Sequence, residues 1–353
     1  MKPDDKFLDA FARIGAKQVG AFGAPPSKKL SMLLRPTFIA RPGKVLVWGD
    51  WSAIEARVLP WLAASPGAEE VLDIFRTNDL DPNLPDIYII TAAELMDRVA
   101  EELWALYRAG EKEGKDARQA YGKVPVLSLG FGGALGALLA MATNYNVYLD
   151  EVTAKRVVAM WRAKNAWAPD FWGKHTRNES TGLWGMANQA LLDPDTPKVA
   201  GAVAFVFDKK YMGGTLFCYL PDGRPLTYPK VKWEWRTVVD KKTKAEEEKY
   251  QLTFLKQYGR SAAWYGKFAE NVTQATAASI LRRSLKIIEY TPELQWMDVV
   301  MHTHDEIVVE VDEADEERAK VKLHEIMVSK DPWMEGLPLA AEISSGWAYS
   351  KAG

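Results

Sequence analysis

The sequence predicts an α+β chain, with an antiparallel sheet carrying packed helices and a separate helical region. Three observations predict it. Apolar runs of strand length stand near both ends of the chain, at Val45–Trp48 and in VVMHTHDEIVVEV. Text with helical spacing fills most of residues 87–210 between them. Hairpin signals follow, the clearest being Asp222-Gly223 between two apolar stretches.

The bulk numbers narrow the classes. With 353 residues and 48% hydrophobic content, the chain can bury one large core or two. Its 45 basic and 47 acidic residues nearly cancel, so any nucleic-acid surface must be local. Cys218 is the only cysteine, which excludes an internal disulfide and suits a reducing compartment such as the cytoplasm. The four histidines, His175, His302, His304 and His324, are scattered. A zinc site is disfavoured, and carboxylates point to a hard cation instead. No apolar run reaches the ~18 residues of a membrane span, so no membrane partner is expected.

Taken in order, a short helix is expected near Asp5 to Arg13, then an irregular stretch with Lys28 and Lys29. A strand over 44–50 leads into a helix over about 52–64, with Asp50 at the turn between them. Ser52 and Glu55 have the S-x-x-E spacing of a capping box, and Ser65-Pro66-Gly67 stops the helix. Asp86 is the expected N-cap of one helix over about 87–109, closed by Gly110. EKEGKDAR reads as a charged turn. Residues 117–142 are helical in spacing but interrupted by Gly and Pro, and Pro125 kinks a helix there or sits in its first turn. A helix over 150–175 uses Trp161, Trp167 and Trp172 for packing, and helical text continues to about 210. Two hairpins follow, the second with a solvated charged tip. A long amphipathic helix over 263–290, strands over 298–311, a helix over 313–329 and a final strand complete the chain.

The chemistry gathers in two of these stretches. VVMHTHDEIVVEV puts His304, Asp305 and Glu306 at the tip of an apolar hairpin. If the 44–50 strand lies beside that hairpin, Asp50 and Asp305 meet. Two fixed carboxylates repel unless cations sit between them, and two divalent ions there provide what in-line phosphoryl transfer needs. In the middle of the chain, Lys123, Leu127 and Phe131 are spaced to share a helix face. Packing alone explains Leu127 and Phe131, but a lysine on that face also suits a polyphosphate, and Phe131 a stacked base.

Together and in this order, the segments resemble the polymerase domain of family A DNA polymerases, the DNA polymerase I type, in its bacteriophage branch. DWSAIEARVLPWLA resembles motif A, GKVPVLSLGFGG motif B, and HDEIVVEV motif C. RPTFIARPG, DIYIITAAEL, LPDGRPLTYP and ENVTQATAASIL resemble connecting segments of that family. The resemblance implies an antiparallel palm sheet, a helical fingers subdomain and a thumb that is reduced or absent. It divides the chain into a lead-in or remnant thumb region (1–43), palm with motif A (44–85), fingers with motif B and following helices (86–210), and palm again (211–353). It implies template-directed addition of dNTPs to a primer 3′-hydroxyl in phage DNA replication, with two Mg²⁺ ions or Mn²⁺ in their place. Asp50 and Asp305 match the metal ligands, with the Trp51 carbonyl completing a shell. Lys123 matches the triphosphate-binding, proton-donating lysine. Glu55 matches the gate against a ribose 2′-hydroxyl. Phe131 and Gly132 match the pair beside the templating base, and Gln274 the minor-groove glutamine. His304 and Glu306 match groups supporting the primer end and metal site, and Arg35 is placed to reach the incoming nucleotide.

The sequence also departs from that family. Tyr88 stands where a triphosphate-binding histidine is usual. Arg118 lies five residues before Lys123 rather than four, with Gln119 in the usual place. Leu127 replaces an aromatic that senses the sugar 3′ position. Only 49 residues precede Asp50, so the expectation is either a reduced grip on DNA or a separate chain supplying thumb and 3′–5′ exonuclease. DNA contact is expected at local basic groups, Lys28, Lys29, Arg282, Arg283 and Lys286. Two other readings stay open: a single-subunit RNA polymerase or primase, which Glu55 opposes, and a non-catalytic half of a split polymerase, which the intact aspartate pair opposes.

Overall fold

The computed structural model describes residues 34–173, 181–239 and 245–350. The expected helix near Asp5–Arg13, the Lys28-Lys29 pair, His175 and the tip of the second hairpin lie outside the described residues. The chain falls into two compact units, one formed by residues 1–52, 278–330 and 339–353, the other by 53–277 and 331–338.

The first unit is built on a four-stranded antiparallel sheet of β1 (Lys44–Trp51), β9 (Asp298–Thr303), β10 (Glu306–Asp312) and β11 (Ala341–Gly346), in the order β11-β1-β10-β9. Both long central strands are buried almost end to end, which is why they read as continuous apolar runs rather than alternating ones. One face, with Leu46, Trp48 and Val308, packs against Ala40 and Tyr349, and Met301 closes its edge. On the other face lies the C-terminal helix of the unit, Glu316–Val328. There the Trp51 indole donates to the Met327 carbonyl at 2.9 Å. Gly49 gives that helix room, since a Cβ there would stand 2.3 Å from Met327 Sδ.

Asp50 lies inside β1 rather than at a turn after it. The following helix α1 (Ile54–Ala63) starts later than the S-x-x-E spacing requires. Its N-cap is Ala53, in left-handed conformation and without a side-chain cap, while the Ser52 amide donates to the Ala340 carbonyl. The Ser52 amide, which a capping box would have bonded to Glu55, is thereby already taken.

The second unit holds most of the helices, with α2 (Pro66–Leu80) following α1, and two further sheets. One is β2 (Lys198–Ala200), β3 (Val203–Asp208), β4 (Thr215–Tyr219) and β5 (Pro225–Pro229) in that order, the other β6 (Lys232–Val239), β7 (Glu246–Lys256) and β8 (Gly259–Ala262) in that order. Asp86 caps α3 (Ile87–Met96) as expected, accepting from the Ile89 amide at 2.8 Å. The single helix expected to Gly110 is two, α3 and α4 (Ala100–Arg108). Asp97 breaks them by adopting φ +55°, a conformation Asp tolerates better than most residues, and Leu103 then joins the cluster of Ile89, Ala92 and Ala93. The expected charged turn is instead a helix, Lys112–Ala117. It packs backbone to backbone, for a Cβ on Gly114 would fall 2.3 Å from the Tyr107 nitrogen.

The helix expected over 150–175 is also two, Glu151–Lys164 and Trp167–Trp172, with Trp161 and Trp172 stacked 6.4 Å apart. Gly182–Leu192 is helical, but 198–208 is not. Lys198–Ala200 and Val203–Asp208 pair as strands, turning at Gly201, and the Ala202 amide is taken by the Leu62 carbonyl at 2.8 Å. The β-branched and aromatic run VAFVF favours a strand, a preference that the surrounding helical text had hidden. The two hairpins form as expected, Thr215–Tyr219 with Pro225–Pro229 and Lys232–Val239 with Glu246–Lys256. The long helix spans Tyr265–Tyr290.

Candidate active site

In the first unit the ladder brings the motif residues together. β1 and β10 run antiparallel with Asp50 directly opposite Glu306, and the Trp51 amide donates to the Asp305 carbonyl at 3.2 Å. Asp50 and Asp305 are therefore neighbours across one strand pair, as the sequence required. Asp305 occupies the β9–β10 turn after His304, whose φ of +51° tightens it, and His304 is exposed. Glu306 is not at the tip. It begins β10 and is only 2% exposed.

Directly opposed residues project from the same face of a sheet. Asp50 therefore has Glu306 on one side and Glu342 of β11 on the other. Like charges so placed destabilise a sheet unless they are compensated. Arg35 supplies that compensation for Glu306. It donates to both carboxylate oxygens, at 3.0 and 3.3 Å, and its guanidinium lies 4.9 Å over the Tyr349 ring. Arg35, expected to reach the incoming nucleotide, makes an ion pair within the protein here.

The sequence reading missed both Glu342 and Tyr349. Only strand register exposes the first. The second sits on the C-terminal tail, where its neighbours carry no signal. Further along the same face, the Arg41 amide and guanidinium hold Glu310 at 2.8 and 2.5 Å. Burial alone would raise the Glu310 carboxyl, but those contacts keep it below the usual carboxylate range. Of the basic residues expected on the surface, Arg283 is committed internally, donating to the Ile326 carbonyl and to Ser329 Oγ.

The second unit carries the remaining candidates. Residues Arg118–Lys123 form a π turn, in which the Val124 amide bonds back to the Gln119 carbonyl. A turn closed by i→i+5 bonds stacks residues five apart, as an α turn stacks residues four apart. The extra residue between Arg118 and Lys123 is absorbed in this way, and both side chains start from one face. Pro125 then occupies the first turn of Val124–Leu129, directly after the π turn, and does not break the segment. Phe131 lies beyond that helix in the following turn, so the expected shared helix face ends at Leu127.

Tyrosines surround the two cations. The Arg118 guanidinium is 4.9 Å over Tyr88 and 5.0 Å over Tyr107, and it pairs with Asp86 at 2.7 Å. Lys123 Nζ is 5.5 Å over Tyr145. Burial pushes the Tyr88 phenol up to about 12, with Arg118 opposing and Asp86 reinforcing the shift. Glu55, Leu127 and Phe131 line one cavity with Ile87, Thr91 and Trp167. Gly132 has φ +74° and no room for a side chain against Tyr265, whose ring a Cβ would approach to 2.5 Å. Gln274 is exposed on the long helix.

No family model matches the chain. Over 313 residues, 89% of its length, the chain is 32% identical to the DNA polymerase of Bacillus phage SP02. The match covers 42% of that polymerase. In fold the chain is similar to the POL domain of Pol1 from M. smegmatis, solved in complex with DNA primer-template and dNTP. The TM-score is 0.57 at 15% identity, over 93% of this chain and 44% of that one. The chain thus spans less than half the length of either protein. The α+β architecture matches a polymerase-domain fold, and the sequence kinship with a phage DNA polymerase agrees with the resemblance drawn from the motifs.

Proposed function

We propose that the chain catalyses template-directed addition of dNTPs to a primer 3′-hydroxyl during phage DNA replication. The observation that carries this reading is the pairing of β1 with β10, which makes Asp50 and Asp305 neighbours at one end of a buried sheet. The donor set fits a hard divalent cation. All the candidate ligands are oxygens, and among the described residues no group of three or more His, Cys, Asp or Glu forms a ready-made cage. Mg²⁺ suits such a site, because it takes one or two carboxylates and completes its shell with water and substrate phosphates. Asp50, Asp305 and the Trp51 carbonyl would hold it. When bound, two such ions lower the pKa of the attacking hydroxyl and steady the charge on the leaving oxygen.

The chain's own residues do the rest. The sheet fixes the two carboxylates, so orientation is set before substrate arrives. Arg35 keeps the Glu306 charge from opposing Asp50. Arg118 and Lys123 offer positive charge to a triphosphate, and Lys123 can give a proton to departing pyrophosphate. Tyr88 can contribute only a neutral hydroxyl there at physiological pH. Phe131 and Gly132 serve the templating base, and Gln274 the minor groove. Glu55 crowds a 2′-hydroxyl and so favours dNTPs over rNTPs. Among the described residues no helix is long and apolar enough to cross a membrane.

Primer extension by the purified chain tests the reading. Asp50→Asn and Asp305→Asn should each abolish extension while melting near the wild type, and chelation should do the same. Extension retained by either variant removes the proposed centre.

A further inference from the structure

The tail residue Tyr349 is buried beside the carboxylate pair, although nothing in its own stretch of sequence marks it. Only 2% of it is exposed. Its place is fixed three ways. The Tyr349 amide donates to the Phe38 carbonyl at 2.9 Å, and a bridge joins Ile39 to Ala348. Its ring meets Trp48 edge-on at 5.4 Å, two residues before Asp50 and on the same face of β1. The Arg35 guanidinium lies over the Tyr349 ring at 4.9 Å. The same guanidinium donates two bonds to Glu306, which stands directly across from Asp50 and adjoins Asp305.

Each contact depends on the next. An arginine on a flexible stem loses much side-chain entropy when it is held in one geometry. A flat ring beneath it limits the alternatives, and cation–π attraction holds the planar group parallel to that shelf. The Tyr349 hydroxyl is shielded from solvent and falls outside standard hydrogen-bond geometry. Burial first, and then the Glu306 carboxylate that it faces, push the phenol above the ordinary tyrosine range. Removing the shelf frees Arg35 to turn from Glu306 toward Asp50, directly across the ladder, and leaves Glu306 a buried charge without its partner.

We propose that Tyr349 is a positioning residue, which acts through Arg35 and Glu306 to keep Asp50 and Asp305 available to a divalent cation. The proposal rests on the polymerase reading of that centre. It assigns the C-terminal tail a part in the reaction, although Tyr349 itself touches neither metal nor substrate.

Three full-length proteins separate the possibilities: wild type, Tyr349→Phe and Tyr349→Leu. Leucine preserves burial but removes the π face, and phenylalanine restores that face. Two readouts are needed, Mn²⁺ binding by electron paramagnetic resonance without DNA and single-nucleotide primer extension. Tyr349→Leu should weaken Mn²⁺ binding at least threefold and lower kcat at least tenfold, with KM for dNTP within twofold of wild type. Tyr349→Phe should recover both to within threefold. A Tyr349→Leu protein with wild-type Mn²⁺ affinity and kcat overturns the inference alone. So does one whose melting temperature falls while the activity per folded molecule holds. A wild-type chain that binds no Mn²⁺ and extends no primer overturns the polymerase reading, and this inference with it.

Discussion

Gly49→Ala measures how tightly the strand bearing Asp50 is clamped. Gly49 lies in extended backbone, so alanine meets no strain from its own dihedral angles. By itself, the loss of unfolded-chain freedom would stabilise the variant by about 0.4–1 kcal/mol. Against this, the new methyl would stand 2.3 Å from Met327 Sδ and 2.8 Å from Ile343 Cδ1, well inside van der Waals contact. Overpacking of this kind costs about 1–3 kcal/mol. Both opposing atoms belong to the outer parts of flexible side chains, which keeps the cost away from the top of that range. The net effect is a loss of about 0.5–1.5 kcal/mol in the first unit, which speeds exchange of protected amides by about 2–13-fold. Hydrogen exchange followed on peptides covering 44–51 reads this locally, which a melting curve of a two-unit chain does not. Met327→Ala vacates the space, so the double variant should lose less than the sum of the two singles by at least about 0.5 kcal/mol. Unchanged or slower exchange in Gly49→Ala, or strictly additive singles, would show that the helix does not press on this strand.

Three further outcomes are expected. Glu55→Ala should reduce discrimination against ribonucleotides by about tenfold or more, read by competing rNTP with dNTP in single-nucleotide extension, and unchanged discrimination removes the gate. Arg57→Met strands Asp79, which is 24% exposed and now bonded to Arg57 at 2.6 and 2.7 Å, and it also removes the guanidinium from over Phe75. Partial access to water places its cost at about 2–3 kcal/mol, below that of a fully buried pair, and urea unfolding followed in the second unit measures it. Lys232 first, then Thr253 and Arg260, hold the Glu234 carboxyl down to about 2 from 4.5. That support is present above about pH 4.5 and is lost as pH falls through about 2. The stability gap between wild type and Glu234→Gln should therefore narrow across that window, and a gap independent of pH contradicts the pairing.

Much of the first unit was legible because its signals are local and mutually consistent. VLVW and IVVEV are strands from composition alone, and a buried central pair explains why neither alternates. From there, placing Asp50 beside Asp305 needed only the assumption that the two strands pair. The supporting groups were not legible, because register, rather than sequence distance, puts Glu342 and Glu306 on either side of Asp50. Tyr349 is further removed still, since its partners lie on three other segments. In the second unit, the errors fell where tertiary contact outweighs local preference. Asp97 breaks a helix with no glycine or proline to announce it, and the strand Val203–Asp208 sits in text that otherwise reads as helical. Gly114 was read as part of a turn, but it is the point where two helix backbones touch.

The π turn over Arg118–Lys123 bears on how related chains are recognised. A fixed-interval pattern scores Gln119 where a cation is wanted and treats this chain as deficient. Measured by angular phase around the axis instead, nothing is missing. Helical signatures with a cation at each end are better searched by rotation than by residue count, since one added residue wound into a wider loop leaves both side chains starting from one face.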